Sequence, residues 1–284
     1  MARITIPYAV ADFAEMRERG FYYVDKTNYI PGLEDYNAPI FLRPRRFGKS
    51  LLISMLAHYY DRTKANRFEE LFGGTWIGEH PTEEHNQYLV IRYDFSAMVM
   101  ADDMEGVVQN FNDLNCGPVE VTVEHNRDLF GDFQFTTRGN AVQMLEELLG
   151  YISSHGLPKA YILIDEYDSP MLDSNNNEEV QSEIRNIMRD FFSPLKSQGQ
   201  YLRFLFLTGI SKFSQMSIFS ELNNLQNISM WDEYSAICGI TEEELRSQMQ
   251  IDIEQIAQAN SETYEEACAH LKQQYDGYHF SKNL

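Results

Sequence analysis

Gly48, Lys49 and Ser50 follow Arg43-Pro44-Arg45-Arg46-Phe47 and open an apolar, helix-forming run. At such a junction backbone N–H groups converge on phosphate, the lysine ammonium reaches the β and γ phosphates of a nucleoside triphosphate, and the serine hydroxyl helps hold Mg2+. The pattern GxxxxGK[ST] wants a glycine where Arg43 stands. That glycine normally serves a turn which costs an L-residue roughly 1–2 kcal/mol. Two readings of the arginines stay open. Arg43, Arg45 and Arg46 either touch phosphate as charge-assisted donors, or form a solvated basic edge around a weakened site.

A second chemical signal is Tyr161-Ile162-Leu163-Ile164 ending in Asp165-Glu166. An aspartate at the end of a buried strand suits Mg2+, and the next glutamate suits orienting and deprotonating the attacking water. Taken alone, the pair would read more readily as a polar turn; together with Gly48-Lys49-Ser50 it points to ATP hydrolysis. Asp168 is expected to support the site from behind or to stabilise the loop, rather than to be catalytic. Phe204-Leu205-Phe206-Leu207 ends in Thr208, a hydroxyl placed to sense the γ-phosphate or position water, or simply to satisfy local backbone; Ser211 and Lys212 are weaker candidates. The 7 histidines show no His-x-x-x-His spacing, so a histidine metal site is not expected. No Asn-Lys-x-Asp sequence follows the third strand, which tilts the base toward adenine.

These groups need elements to hold them. Apolar runs at Ile40–Leu42, Tyr88–Tyr93, Tyr161–Ile164 and Phe204–Leu207 read as buried strands. Ser50–Tyr60 and Ala141–Ile152 read as amphipathic helices between them, and a further helix is expected around Ala9–Arg19. The alternation predicts an α/β fold of P-loop NTPase type: a mainly parallel sheet with flanking helices and a small C-terminal helical module. The expected organisation is a preamble over 1–38, a core over 39–238 and a helical, lid-like module over 239–284. Thr241-x-x-Glu244 spells a capping box at the start of that module. Residues 101–139, with breakers Asn115, Gly117, Pro118, Gly131 and Gly139, read as an irregular insertion.

Lys plus Arg total 23 against 43 for Asp plus Glu, a formal net charge of −20, which disfavours nucleic acid as a partner. The one basic cluster, Arg43 to Lys49, coincides with the phosphate site. Three separated cysteines suggest neither a disulfide framework nor zinc, and no segment reaches the apolar length of a membrane span. A cytoplasmic location without membrane association is expected.

Tyr22-Tyr23-Val24-Asp25-Lys26-Thr27, Leu42-Arg43-Pro44-Arg45-Arg46-Phe47-Gly48-Lys49-Ser50, Leu163-Ile164-Asp165-Glu166-Tyr167-Asp168 and Leu207-Thr208-Gly209-Ile210-Ser211-Lys212-Phe213 with Asn223-Asn224-Leu225 together carry a resemblance. The chain resembles the AAA-ATPase-like proteins of anaerobic bacteria from about Pro7 to Phe280. In that family Arg-Pro-Arg-Arg-Phe-Gly-Lys-Ser is the usual form of the loop. The resemblance implies a P-loop ATPase core with a helical lid, and a restriction-endonuclease-like domain often follows the Tyr275–Phe280 region in such proteins.

The leading expectation is therefore an ATP-binding, slowly ATP-hydrolysing module using Mg2+, with Lys49 on the phosphates, Ser50 and Asp165 on the metal, and Glu166 and Thr208 at the reacting water. Arg45, Arg46 or a partner copy would supply a catalytic arginine. Two alternatives stand beside it. One is a nucleotide-gated interaction protein that presents its helical module to a protein partner or a second copy. The other is the ATPase part of a nucleic-acid-processing protein. A phosphotransferase would share the loop, but no acceptor-site signature is visible.

Overall fold

Continuous apolar runs build the centre of the molecule. The computed structural model describes residues 7, 9–99, 101, 103–172, 174, 178–210, 225–275, 278 and 280. Among these, β1 (Pro39–Leu42), β2 (Leu89–Asp94), β3 (Ala160–Asp165), β4 (Leu202–Gly209) and β5 (Gln226–Asn227) form one five-stranded sheet, ordered β2-β3-β4-β1-β5. Every pairing is parallel. The expected α/β architecture with a parallel sheet is what the chain adopts.

β3 is buried along its whole length, as a strand covered on both faces must be. Its even positions, Ile162 and Ile164, join one core with helices Met104–His125, Ala141–Ser154 and Glu178–Ser197. Tyr161 and Leu163 point the other way, into a core filled by Leu52, Ile53 and Leu56 of helix Lys49–Tyr60 and by Phe13. Tyr161 stacks on Tyr60 with ring centroids 4.1 Å apart, fastening that helix to β3.

The stretch expected to be irregular contains the 22-residue helix Met104–His125, with Pro118 inside it. Proline lacks the amide that the Leu114 carbonyl would accept, so local signals argue for a break. Burial of Val107, Phe111, Val119 and Val123 against the sheet outweighs that loss. The first helix is shorter than read, Phe13–Glu18, because Asp12 caps it by accepting from the Glu15 amide at 2.8 Å.

After Gly239, helices Glu242–Gln248, Gln250–Asn260 and Tyr264–Tyr275 close on a small core of Ile253, Ala257, Ala267 and Cys268. The capping box forms: Glu244 N–H donates to Thr241 Oγ1 at 3.2 Å and Thr241 N–H to Glu244 Oε2 at 2.8 Å. Asn175–Asn177, Ser211–Phe213 and Asn223-Asn224 lie outside the described residues.

Candidate functional site

The sheet order sends β1 to its far neighbour β2 over one face, whereas β2, β3 and β4 return toward β1 over the other. Ligands of open parallel sheets bind at the carboxyl ends of the strands where the winding reverses. β1, β3 and β4 end there with Leu42-Arg43, Asp165 and Thr208-Gly209, the register pairing Leu42 with Gly209 and Ile164 with Leu207.

The chain leaves β1 with the Arg43 amide donating to the Gly209 carbonyl at 3.1 Å. The left-handed conformations of the loop fall on Arg46 (φ +69°) and Gly48 (φ +88°), and Arg43 has a negative φ. The position where the pattern wants a glycine therefore carries no left-handed backbone. The side chain that works against its backbone preference is Arg46, at about 1–2 kcal/mol. Helix Lys49–Tyr60 then begins with no side chain capping its N-terminus, leaving its first N–H groups directed into the loop.

Arg43 is 1% exposed. Its Nη1 donates to the carbonyls of Leu42 (2.9 Å) and Ser229 (2.6 Å), and its Nη2 to those of Tyr234 (3.2 Å) and Ser235 (3.3 Å). Burial pushes the guanidinium down to about 10, so it stays charged at neutral pH. Arg45 and Arg46 are exposed. The buried Lys49 ammonium donates to the carbonyls of Arg43 (3.1 Å) and Pro44 (3.2 Å), and Ser50 is half-buried behind it at the start of the helix.

Asp165 is buried, and its Oδ1 accepts from the Glu166 amide at 3.0 Å and from the Thr208 hydroxyl at 2.5 Å. Thr208 therefore acts on Asp165. Glu166 has φ +48°, an uncommon backbone state for a residue with a side chain. Burial raises its carboxyl above the ordinary range; the Lys49 and Arg45 cations oppose that shift, while Asp165 and Asp168 add to it. Asp168 Oδ2 accepts from the Ile210 amide at 2.9 Å, tying the loop after β3 to the end of β4. Gly209 makes this approach feasible: a Cβ there would lie 2.6 Å from Tyr167 Cε1 and 2.7 Å from Asp168 Oδ1.

Beside Gly48 opens a largely apolar cavity of about 330 Å³ between the N-terminal segment, the loop and the helical module. Tyr22, Val24, Leu51, Ile237, Gly239 and Met249 are among its walls. The Tyr22 hydroxyl is buried and has no hydrogen-bond partner among the described residues. Lys26, also on the wall, donates to Glu244 Oε1 at 2.5 Å, so the module's first helix is fastened to the Asp25-Lys26-Thr27 segment. Asp25 and Thr27 instead accept from the Trp76 and Ile77 amides, at 2.7 and 3.1 Å.

Lys49, Asp165, Glu166 and Thr208 thus share one end of the sheet, with Arg45 near enough to act on Glu166 electrostatically. Arg43 is directed into the protein. The sequence reading missed Tyr22, Lys26 with Glu244, and Phe47, which accepts from the Gly239 amide at 3.0 Å. The capping-box glutamate was visible, but nothing in its local pattern names Lys26 as its partner. Among the described residues no group of three or more His, Cys, Asp or Glu is placed to hold a metal, and no helix is long and apolar enough to cross a membrane.

The family model described as Predicted AAA-ATPase matches residues 7–219. An Azotobacter chroococcum mcd 1 protein, described as an uncharacterized protein in the vnfD 5' region, is 35% identical over 255 residues. The match covers 85% of this chain and 44% of that relative, so the chain spans less than half the relative's length. No solved structure matches the chain.

Proposed function

The chain belongs to the AAA-ATPase-like family, and on that premise we propose that it binds ATP with Mg2+ and hydrolyses it slowly. One observation carries this reading: an uncapped helix N-terminus, a buried Lys49 ammonium resting on two loop carbonyls, and the Asp165-Glu166 pair meet at the reversal of the sheet. The residues suit the absent groups. Lys49 and the first N–H groups of its helix would hold the β and γ phosphates. Ser50 and Asp165 would hold Mg2+, an ion commonly bound by one or two carboxylates together with substrate phosphates. When bound, the metal supplies charge neutralisation on the phosphates.

Glu166 takes the proton of the attacking water, and Thr208 fixes Asp165 through its hydroxyl. The cavity beside Gly48 takes the base, with Tyr22 as its polar contact. Arg45 is the arginine in cis best placed for the reacting end, since it already acts on Glu166. An arginine finger is worth about 10³–10⁵ in rate, so an exposed Arg45 accords with slow turnover. Free Cys116, Cys238 and Cys268 suit a reducing cytoplasm.

A gating role is favoured by one further observation. The Lys26–Glu244 pair and the Phe47–Gly239 hydrogen bond join the helical module to the walls of the nucleotide cavity, so occupancy would bear on the surface offered to a protein partner or a second copy. The test is titration of the full chain with a fluorescent ATP analogue, with and without Mg2+, alongside phosphate release. Saturable, Mg2+-dependent binding that Lys49→Ala weakens at least about tenfold, a difference of 1.4 kcal/mol, is expected. Binding indifferent to Lys49→Ala would overturn the reading, and binding without phosphate release would leave gating as the function.

A further inference from the structure

Arg43 occupies the position of the pattern's first glycine, yet both its terminal nitrogens are engaged by protein, while its buried Nε has no hydrogen-bond partner among the described residues. Four carbonyls, from Leu42, Ser229, Tyr234 and Ser235, accept from its two terminal nitrogens. Its guanidinium carbon also lies 4.3 Å from the Phe41 ring centroid and 4.1 Å from that of Phe280. Phe41 belongs to the core and Phe280 to the C-terminal segment, so one cation joins β1, the 229–235 segment and the C-terminal segment. A planar fork with five N–H groups can bond at its edge and stack on its faces, which a lysine ammonium cannot copy.

The same segment grips the loop a second time. Phe47, immediately before Gly48-Lys49, meets Tyr278 edge-on at 5.0 Å and Phe280 edge-on at 5.2 Å. Tyr278 and Phe280 are parallel to within 7° at 5.8 Å. The Phe47 carbonyl takes the Gly239 amide, and a Cβ at Gly239 would stand 3.3 Å from the Phe47 ring, so the loop is held from two sides. We propose that Arg43 is a positioning residue of the phosphate loop, and that Tyr278 and Phe280 clamp Arg43 and Phe47, so that these two aromatic residues set the order of the loop. The nucleotide arm of this proposal rests on the ATP-binding reading; the structural arm stands without it.

The experiment compares the full chain with Phe280→Ala, Phe280→Tyr and Arg43→Lys by hydrogen exchange without nucleotide, then by titration with the ATP analogue. The reporting amides are those of Arg43, Leu52 and Gly239, whose hydrogen bonds close on Gly209, Gly48 and Phe47. Phe280→Ala is expected to speed their exchange about tenfold or more and to weaken nucleotide binding, whereas Phe280→Tyr keeps both near the parent. Arg43→Lys is expected to speed exchange as well; should it fail to fold, Phe280→Ala, at a half-buried position, still decides. Unchanged exchange in Phe280→Ala would overturn the clamp. Arg43→Lys that weakens nucleotide binding with exchange unchanged would make Arg43 a phosphate contact and overturn its positioning role. If the parent binds no nucleotide, the ATP reading fails while the exchange comparison still tests the clamp.

Discussion

The Thr208 hydroxyl donates a 2.5 Å hydrogen bond to Asp165 Oδ1, joining the ends of two neighbouring parallel strands. Asp165 is 1% exposed, so a lost donor is not replaced cheaply by water. Thr208→Val is expected to destabilise the fold by about 1–3 kcal/mol and to raise the Mg2+ concentration needed for nucleotide binding. Thr208→Ser, which keeps the hydroxyl, restores most of both. Chemical denaturation and a Mg2+ titration measure the two effects; a Val variant with unaltered Mg2+ dependence would confine Thr208 to a structural role.

Glu166 gives a pH dependence with a definite sign. Its carboxyl titrates above the ordinary 4.5 because burial disfavours the charge, so the base form is lost at a higher pH than for an exposed glutamate. Turnover at saturating Mg-ATP should fall as pH drops through that raised value. Glu166→Gln should lower turnover by about 10²–10⁴ and abolish this acid limb. Folding runs the opposite way: a raised carboxyl stabilises most when protonated, and that contribution is lost as pH rises through the folded value. The Gln variant should therefore be at least as stable as the parent at neutral pH, which thermal denaturation checks.

If the cavity beside Gly48 takes the base, Tyr22 should separate base recognition from phosphate recognition. Tyr22 is one of the walls of the cavity beside Gly48, and its hydroxyl is buried without a hydrogen-bond partner among the described residues. Tyr22→Phe should weaken ATP binding by about 0.5–1.5 kcal/mol, the net worth of one hydrogen bond, and leave inorganic tripolyphosphate unaffected. Competition titrations with the two ligands make the comparison. Equal losses for both would take Tyr22 away from the base.

Gly209→Ala should be poorly tolerated. The new methyl would sit 2.6 Å from the ring of buried Tyr167 and 2.7 Å from Asp168, both packed over the end of β4. A loss of about 1–3 kcal/mol in stability is expected from the forced displacement. The Glu166 loop would move with it, so turnover should fall more than nucleotide affinity.

Acid sensitivity should trace to Asp12 and His58. Burial alone would raise the Asp12 carboxyl, but the Glu15 amide at 2.8 Å, the Ser54 hydroxyl at 3.1 Å and nearby His58 outweigh it and hold it below 3.8. Burial lowers His58 below 6.5, with Lys64 and Arg67 assisting and Asp12 opposing. The His58 contribution is complete above 6.5 and declines as pH falls below it; that of Asp12 is complete above 3.8 and is lost as pH falls toward its folded value. Urea midpoints measured from pH 7 downward should decrease, and His58→Gln should flatten the upper part of that decline.

How much of this was legible in the sequence follows from the range of each signal. Apolar runs bounded by polar residues reveal β1 to β4, and the period of Ser50–Tyr60 and Ala141–Ile152 reveals two helices, because strand and helix periodicity are local properties of the chain. Thr241-x-x-Glu244 reveals its cap for the same reason. Pro118 misleads at this range, since burial of a long apolar face overrides a local break. Strand order, the direction of the Arg43 side chain, the Lys26–Glu244 pair and the Phe47 contacts with Tyr278 and Phe280 were settled only by tertiary packing. Each joins groups far apart along the chain, and no spacing or period specifies which distant partner a side chain will meet. The sequence by itself determined which residues stand at the ends of the strands. The fold decided that Arg43 turns inward to bind carbonyls while Lys49 and Asp165 remain at the sheet's edge, because a buried guanidinium must find acceptors wherever packing supplies them.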